Sequence, residues 1–173
     1  MEVNSIALIG YRGSGKTAVA QRLAGLLGWE WVDADVEIEL RAGKSIATIF
    51  ADDGETSFRD LEAIVVDLLC QRPQTVIALG GGAILRELNR TAIQRCRTVV
   101  WLQASVETLE SRIAGDPTTS ARRPNLTAGG GRAEIERLLA ERTPNYRACA
   151  TLEVDTEGKT PAEIAEEILA ARG

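Results

Sequence analysis

Eight residues near the start of the chain have the composition and spacing of a loop that binds phosphate groups. Residues 10–17, Gly-Tyr-Arg-Gly-Ser-Gly-Lys-Thr, fit the pattern G-x-x-x-x-G-K-[ST]. Glycines let inward-pointing main-chain N–H groups approach an anion, lysine adds positive charge, and a hydroxyl on the first helical turn can ligate Mg²⁺. The segment predicts a nucleoside triphosphate site, the alternative being a glycine-rich turn with an accidental lysine.

A phosphate loop needs a buried strand before it and an amphipathic helix after it. Residues 6–9 form an apolar run, and downstream Val19, Leu23 and the pair at 26–27 recur at helical spacing. The first pattern is typical of a strand in a parallel sheet and the second of a helix with one buried face. The flanking sequence therefore supports the phosphate-loop interpretation.

Four further strand candidates lie at residues 29–32, 75–79, 98–102 and 151–154, with helical patterns between them. Strands that alternate with crossovers of about a dozen residues or more indicate a parallel sheet covered on both faces. Ligands of such sheets collect at the carboxyl ends of the strands. The residues that follow each strand are therefore the first candidates for a site.

Length and composition restrict the class of protein. A chain of 173 residues, 45% hydrophobic and 26% charged, fits one soluble globular domain spanning residues 1–173. A net charge of -5 gives no general attraction to nucleic acid or to an anionic membrane. With no basic leader and no apolar run near the roughly 20 residues of a membrane span, we expect a cytoplasmic protein.

Cysteine and histidine content exclude several chemistries. Cys70, Cys96 and Cys149 are widely spaced, so neither a disulfide framework nor a zinc site is indicated. Histidine is absent, which excludes histidine-based catalysis. Proton transfer must therefore fall to carboxylates, lysine or water.

Two carboxylates follow the second predicted strand. Asp33 and Asp35 are separated by one residue, and alternate side chains at a strand end point to the same side. One carboxylate near a metal ion and the other near an acceptor hydroxyl would make chemical sense. The alternative for either is a helix N-cap, because residues 36–40 look helical and aspartate favours caps.

Arginines and glycines supply candidates for binding an anionic acceptor. Arg59 lies near a predicted helix start, where the helix dipole disfavours a cation. Binding of an anion would explain an arginine at this position. A surface ion pair with Asp60 or Glu62 is the alternative explanation. Arg142 follows a helical pattern, and its alternative is a solvated position at the helix end. The triplet at residues 80–82 follows the third strand and indicates main chain pressed against a ligand, or a flexible turn.

Residues 115–132 interrupt the alternation of predicted strands and helices. They are rich in Gly, Pro, Thr and Arg and lack apolar periodicity, which is typical of a long loop. Beside a triphosphate, such a loop with Arg122 and Arg123 would act as a lid that neutralises charge and excludes water. The alternative is a surface linker.

A series of short motifs, in this order and spacing, resembles the shikimate kinase family over nearly the whole chain. The motifs are G-x-x-G-S-G-K-T at residues 10–17, V-D-A-D at 32–35, I-A-x-I-F at 46–50, F-R-x-L-E at 58–62, G-G-G at 80–82, R-P at 123–124 and R-x-P-x-Y at 142–146. Each motif is weak alone, and their combination is specific.

The resemblance implies both a fold and a reaction. The fold is α/β, a three-layer P-loop NTPase fold of the nucleoside-monophosphate-kinase type, with a five-stranded parallel sheet flanked by helices and a mobile lid. The reaction is ATP-dependent, Mg²⁺-dependent phosphorylation of the 3-hydroxyl of shikimate, giving shikimate 3-phosphate and ADP in aromatic amino-acid (chorismate) biosynthesis. Shikimate is then the small-molecule partner, without nucleic acid or membrane, and we expect a monomer.

The resemblance also assigns roles to residues. Asp35 hydrogen-bonds the acceptor hydroxyl, while Arg59 and Arg142 bind the shikimate carboxylate. On the donor side, the resemblance places Gly13, Ser14, Gly15, Lys16, Thr17 and Ala18 around the phosphates, and Thr17 and Asp33 at Mg²⁺. It places Gly80, Gly81 and Gly82 at the acceptor. It implies that Arg123 is a lid arginine that acts in catalysis with Lys16 and Asp35, and that Lys159 lies in the adenine-side loop.

Two departures and two rival functions remain open. The family lid reads R-P-L-L, whereas residues 123–126 read R-P-N-L and three glycines follow at 129–131, so we expect different lid motion and nucleotide affinity. A kinase for gluconate or a nucleoside monophosphate is the nearest rival enzyme. A kinase-like module that binds nucleotide without transfer is the rival from another class.

Overall fold

The computed structural model describes residues 2–117 and 130–172, and its central feature is a five-stranded sheet. The strands are β1 (Val3–Ile9), β2 (Glu30–Asp33), β3 (Thr75–Ala78), β4 (Cys96–Gln103) and β5 (Leu152–Asp155). All neighbours pair in parallel, in the order β2-β3-β1-β4-β5. The predicted parallel sheet is confirmed, and β1, which leads into the phosphate loop, lies at its centre.

Helices cover both faces of the sheet, so the three-layer α/β prediction is confirmed. They are α1 (Lys16–Leu27), α2 (Ala34–Ala42), α3 (Ile46–Leu69), α4 (Glu87–Ile93), α5 (Val106–Ala114), α6 (Gly131–Cys149) and α7 (Pro161–Arg172). Helices α1 and α7 pack on one face, and α2, α3, α4 and α6 pack on the other. Among the described residues, no helix is long and apolar enough to cross a membrane.

The alternation of side chains along β1 creates the two cores. Ala7 and Ile9 belong to the cluster under α2, α3, α4 and α6, whereas Ile6 and Leu8 belong to the cluster under α1 and α7. Successive residues of a strand point to opposite faces, so a strand buried on both faces reads as a continuous apolar run. This is why residues 6–9 carry no polar side chain.

Helix α3 differs from the sequence prediction at its centre. A single element runs from Ile46 to Leu69, with Ser45 capping its start, but Gly54 has the non-helical angles φ 83 and ψ 171. Only glycine adopts such a conformation readily, so the helix bends there without ending. Arg59 lies in the part of α3 that follows this kink. The helix start predicted near Arg59 is therefore the point where α3 continues after the kink, and no separate helix begins there.

The predicted lid is only partly within the described residues. Residues 118–129, with Arg122 and Arg123, lie outside them. The C-terminal bound of the prediction at residue 132 was wrong, because α6 begins at Gly131 and Arg132 is helical. Arg132 there pairs with Glu136, one helical turn away at 2.9 Å, a local contact that favours helix over loop.

The loop after β5 is tied to the start of α5. The carboxylate of Glu157 accepts a hydrogen bond of 2.6 Å from the main-chain N of Ser105 and one of 2.8 Å from Thr108 Oγ1. These bonds, led by the one from Ser105, hold the pKa of Glu157 below its usual range. Because Ser105 is also the N-cap of α5, Glu157 joins two loops at the carboxyl edge of the sheet.

Glu157→Gln should lower the melting temperature at about pH 7 by a few degrees at most, since an amide accepts these bonds more weakly and the site is exposed. A depressed folded-state pKa stabilises above the ordinary glutamate value of about 4.3, and this contribution is lost as pH falls through the folded value. The melting temperatures of the two proteins should therefore converge as pH falls below the ordinary glutamate value and through the depressed folded-state pKa. Glu166→Gln, at an exposed position of α7, serves as the control; a constant gap for Glu157→Gln at every pH would contradict the assignment.

Candidate active site

The phosphate loop requires glycine at positions where the main chain takes positive φ. Gly10, Gly13 and Gly15 have φ of 143, 82 and 92. A Cβ on Gly10 would lie 2.6 Å from the carbonyl oxygen of Leu102, closer than real Cβ contacts. The loop leads directly into the N-terminus of α1, where main-chain N–H groups and the helix dipole favour an anion.

Lys16 reaches back across this loop. Its Nζ donates to the carbonyl oxygens of Gly10 and Tyr11 at 2.8 and 2.9 Å and lies 3.3 Å from Ser14 Oγ. The ammonium group is therefore held inside the curve of the loop. A phosphate bound by the loop would lie next to this charge.

Thr17 and Asp33 bring two hard oxygen ligands together. Thr17 Oγ1 donates to Asp33 Oδ2 at 2.8 Å, while Asp33 Oδ1 accepts from the main-chain N of Asp35 at 2.9 Å as the N-cap of α2. The cap and the metal-ligand interpretations of Asp33 are therefore compatible. Hydroxyl and carboxylate oxygens suit Mg²⁺, which usually takes one or two protein ligands and completes its shell with phosphates and water.

Within residues 2–117 and 130–172 there is no cluster of three or more histidine, cysteine or acidic side chains that could hold a metal ion. A Mg²⁺ ion at Thr17 and Asp33 would complete its shell with phosphate oxygens and water.

One cleft of about 520 Å³ joins the phosphate loop to the opposite wall. The predicted site residues that line it are Gly13, Gly15, Lys16, Thr17, Ala18, Asp33, Asp35, Gly80 and Gly81. Arg12 and Arg112 also line it, although neither was predicted as a site residue. The structure thus brings most of the predicted phosphate-loop residues and part of the predicted acceptor set to one place.

The glycine triplet packs against two arginines. A Cβ on Gly82 would lie 2.6 Å from both terminal nitrogens of Arg59. A Cβ on Gly81 would lie 3.5 Å from Arg142 Nη1 and 3.2 Å from the main-chain N of Arg12. Glycine lets both guanidinium groups approach the main chain, so the triplet is a closely packed turn.

Arg59 pairs with two glutamates, the buried Glu62 and, at 3.6 Å, the exposed Glu55. Arg59 Nη1 donates to Glu62 Oε2 at 2.7 Å, and both side chains are almost fully buried. Asp60, the other predicted partner, instead accepts from Arg86 at 2.7 Å. The ion-pair prediction is therefore correct for Glu62 and wrong for Asp60, and the pair with Glu62 is buried and not at the surface. The pair fixes the orientation of Arg59 beside Gly82.

Arg142 is also buried, with 6% of its surface exposed, so the solvated helix-end interpretation is wrong. It makes no ion pair with any carboxylate in the described ranges, and its Nε has no hydrogen-bond partner there. The guanidinium lies over the ring of Tyr11 at 5.6 Å from the centroid. A buried cation without a counter-charge is costly, which makes Arg142 the natural partner for an incoming anion.

Tyr146 was part of a predicted motif, but no role was assigned to it. Its Oη donates to the carbonyl oxygen of Gly81 at 2.6 Å, and its ring is fully buried against Trp101. The spacing of four residues from Arg142 indicates the same face of α6, a signal available in the sequence.

Arg112, at the end of α5, carried no sequence signal beyond a basic residue that suits a helix C-terminus. Its Nη1 lies 3.1 Å from Thr156 Oγ1 and 3.4 Å from the carbonyl oxygen of Gly13. Lys159, in contrast, is not among the residues that line the cleft; its Nζ pairs with Glu167 at 2.7 Å. Contacts with the nucleotide stay predictions for Lys159 and for Arg123, which lies outside the described residues.

A parallel sheet in this order, with a phosphate loop after its central strand and an acceptor wall across the cleft, defines a P-loop kinase. A profile of the shikimate kinase family matches residues 12–172. The chain belongs to the shikimate kinase family, and it is therefore an ATP-dependent phosphotransferase, as the motifs predicted.

Comparison with individual proteins supports the same family assignment. The chain is 48% identical to a shikimate kinase of Rhodopirellula baltica, over 95% of this chain and 88% of that protein. A shikimate kinase structure from Acinetobacter baumannii, in complex with shikimate, superimposes with a TM-score of 0.91 at 36% identity, covering 98% of this chain and 92% of that one. One from Aquifex aeolicus gives a TM-score of 0.80 at 32% identity, covering 96% and 95%.

Gly10→Ala should disrupt the phosphate loop, because the strained φ and the contact with Leu102 together cost about 1–3 kcal/mol. We expect a lower melting temperature and at least about tenfold weaker ADP binding in a calorimetric titration. The matched control is Gly25→Ala in α1, where a Cβ meets no atom within 4 Å and alanine should stabilise the helix by about 0.5–1 kcal/mol. Wild-type ADP affinity in Gly10→Ala would contradict this account of the loop.

Proposed function

We propose that this protein transfers the γ-phosphoryl group of ATP to the 3-hydroxyl of shikimate, with Mg²⁺, and that the residues of the cleft divide into a donor and an acceptor half. The observation that carries the proposal is Arg142, a buried guanidinium beside Gly81 with no carboxylate partner in the described residues. Shikimate brings a carboxylate, which a guanidinium can bind through two parallel hydrogen bonds. The shikimate complex of the Acinetobacter relative supports this choice of acceptor.

The donor half holds the triphosphate. Residues 13–18 supply main-chain N–H groups, and Lys16 supplies a positive charge between the β- and γ-phosphates. Thr17 would ligate Mg²⁺, with Asp33 assisting through water, and the ion when bound neutralises charge on the phosphates. By resemblance alone, Arg123 contacts the transferred group from the lid and Lys159 lies on the adenine side.

The acceptor half positions the hydroxyl. Asp35 lines the cleft and accepts a hydrogen bond from the shikimate hydroxyl, whose oxygen forms the new bond to the γ-phosphorus. The bond from this phosphorus to the bridging oxygen breaks, ADP leaves, and the hydroxyl proton passes to Asp35. Arg59 and Arg142 hold the carboxylate against residues 80–82, so the reacting oxygen is oriented before transfer.

One chain contributes both halves of this cleft, so a monomer is sufficient for the reaction. The substrates are small molecules, and the net charge of -5 supports a role without nucleic acid or an anionic membrane as partner. We propose that the enzyme works in this form in the cytoplasm.

A coupled assay for ADP tests the proposed reaction. ADP formation should depend on shikimate and on Mg²⁺, with gluconate and nucleoside monophosphates tested in parallel as rival acceptors. Protein that binds ATP but forms no shikimate-dependent ADP would refute the proposal. Shikimate binding by calorimetry without turnover would instead favour a nucleotide-binding module.

Arg142→Met should weaken shikimate binding by roughly tenfold to a hundredfold, the effect of losing a charge-assisted contact of about 1.5–3 kcal/mol. The melting temperature of the ligand-free protein should not fall, because the variant removes a buried charge that has no counter-charge among the described residues. Calorimetric titration with shikimate and thermal melting measure the two effects. Arg147→Met, at an exposed position of the same helix, is the control and should keep shikimate affinity.

Asp35→Asn should act on turnover and much less on binding, since an amide still orients the hydroxyl but cannot take its proton. We expect kcat to fall by roughly a hundredfold to ten-thousandfold, with a smaller change in the dissociation constant of shikimate. Asp52→Asn, on the exposed surface of α3, is the control. A kcat equal to that of the wild type would show that Asp35 takes no part in the transfer.

A further inference from the structure

Arg12 and Glu134 form an ion pair that links the phosphate loop to α6. Arg12 Nη2 lies 3.5 Å from Glu134 Oε2, and the side chains are 15% and 1% exposed. We propose that this pair positions α6, and through it Arg142, against the acceptor half of the cleft. Arg12 and Glu134 are then positioning residues for acceptor binding, a role that rests on the proposed function for the identity of the acceptor.

Arg12 lies at the boundary between the two halves of the site. Its main-chain N is 3.2 Å from the point that a Cβ on Gly81 would occupy, and Arg12 lines the cleft. Arg12 occupies one of the variable positions of the phosphate-loop pattern, so phosphate binding itself does not demand an arginine there. The side chain instead extends to the first turn of α6.

The buried face of α6 carries Glu134, Leu138, Arg142 and Tyr146 at intervals of four residues. Residues at this spacing lie above one another on one side of a helix. Glu134 and Arg142 are separated by roughly 12 Å along the axis, at about 1.5 Å per residue. A helix is stiff over that length, so a displacement at Glu134 is transmitted to Arg142.

Polar contacts on both sides of Arg142 attach this face to the site. Glu134 pairs with Arg12 on the N-terminal side, and Tyr146 Oη donates to the carbonyl oxygen of Gly81 on the C-terminal side. Arg142 has no carboxylate of its own in the described part of the chain. Its guanidinium is therefore held by the placement of the helix, whereas Glu62 orients Arg59 directly.

The ring of Tyr11 lies within this arrangement. Tyr11 packs with Leu109, Ile135 and Leu138, and the Arg142 guanidinium lies over its ring. Burial raises the pKa of the Tyr11 hydroxyl, so the ring is uncharged at neutral pH. The contacts between the phosphate loop and α6 thus combine one ion pair with an apolar surface.

Arg12→Gln and Glu134→Gln test the proposal in steady-state assays with shikimate and ATP varied separately. Each variant should raise KM for shikimate by roughly threefold to tenfold, with KM for ATP and kcat changed less. The double variant should be no worse than the weaker-binding single variant, because both changes remove the same link. Arg12→Lys retains the charge and should restore part of the affinity. If Arg12→Gln does not fold, Glu134→Gln removes the same pair from its other side.

The control is Arg137→Gln, which removes an exposed pair with Glu141 of nearly the same length, 3.6 Å, on the same helix. This variant should keep both KM values. Calorimetric titration of each variant with shikimate alone, and with ADP alone, checks that the kinetic changes reflect binding.

Three results would overturn the proposal. A lower melting temperature with unchanged KM for shikimate in both single variants would show a purely structural ion pair. A raised KM in Arg12→Gln with a lowered KM in Glu134→Gln would show that Arg12 contacts the acceptor anion directly. Additive losses in the double variant would show two independent effects. Failure of the proposed function is distinct, since wild-type protein would then form no ADP with shikimate.

Discussion

Close approach of main chain at three glycines determines how the two halves of the cleft meet. Gly10 lies where a side chain would collide with the Leu102 carbonyl of β4, Gly81 abuts the main chain of Arg12, and Gly82 leaves room for the Arg59 guanidinium. The approach of Gly81 to Arg12 joins the phosphate loop to the turn after β3, whereas Gly10 fixes the start of the loop against β4 and Gly82 places Arg59 of α3 beside the same turn. Because β1 and β3 are neighbours in the sheet, the donor and acceptor walls are held at a distance set by backbone geometry, where small shifts would be costly for catalysis.

Buried charge is handled in two ways on the acceptor wall. Arg59 is paired with buried Glu62, which offsets its desolvation and orients it. Arg142 is equally buried and has no such partner in the described residues, so it depends on the packing of α6 and on the contact with Tyr11. Pairing with Glu62 fixes the orientation of the Arg59 guanidinium before a ligand binds. Arg142, which lacks such a partner among the described residues, gains more free energy when an anion binds beside it. An acceptor carboxylate that reaches both gains orientation from one and charge compensation from the other.

Local pattern was sufficient for much of the fold and for the donor side of the site. The sequence pattern identified all five strands. The signal is clearest for β1, β3 and β4, because burial on both faces leaves a continuous hydrophobic run, whereas the edge strands β2 and β5 are partly exposed. The phosphate loop lies within one short segment, so its residue types could be interpreted without knowledge of the rest of the chain. Asp33 was harder, because the same carboxylate serves as helix cap and lies against Thr17. Local pattern could not choose between two roles that geometry allows together.

The amino-acid sequence by itself determined the strand and helix alternation, the phosphate loop and, through motif order, membership of the shikimate kinase family. Only the tertiary structure decided the order of the strands, the burial of Arg142, the choice of Glu62 over Asp60 as the partner of Arg59, and the presence of Arg12 and Arg112 in the cleft. It also showed the ion pair between Lys159 and Glu167. The physical reason is range: helix, strand and loop signals act between near neighbours, whereas burial and ion pairing depend on which distant segments the sheet brings together.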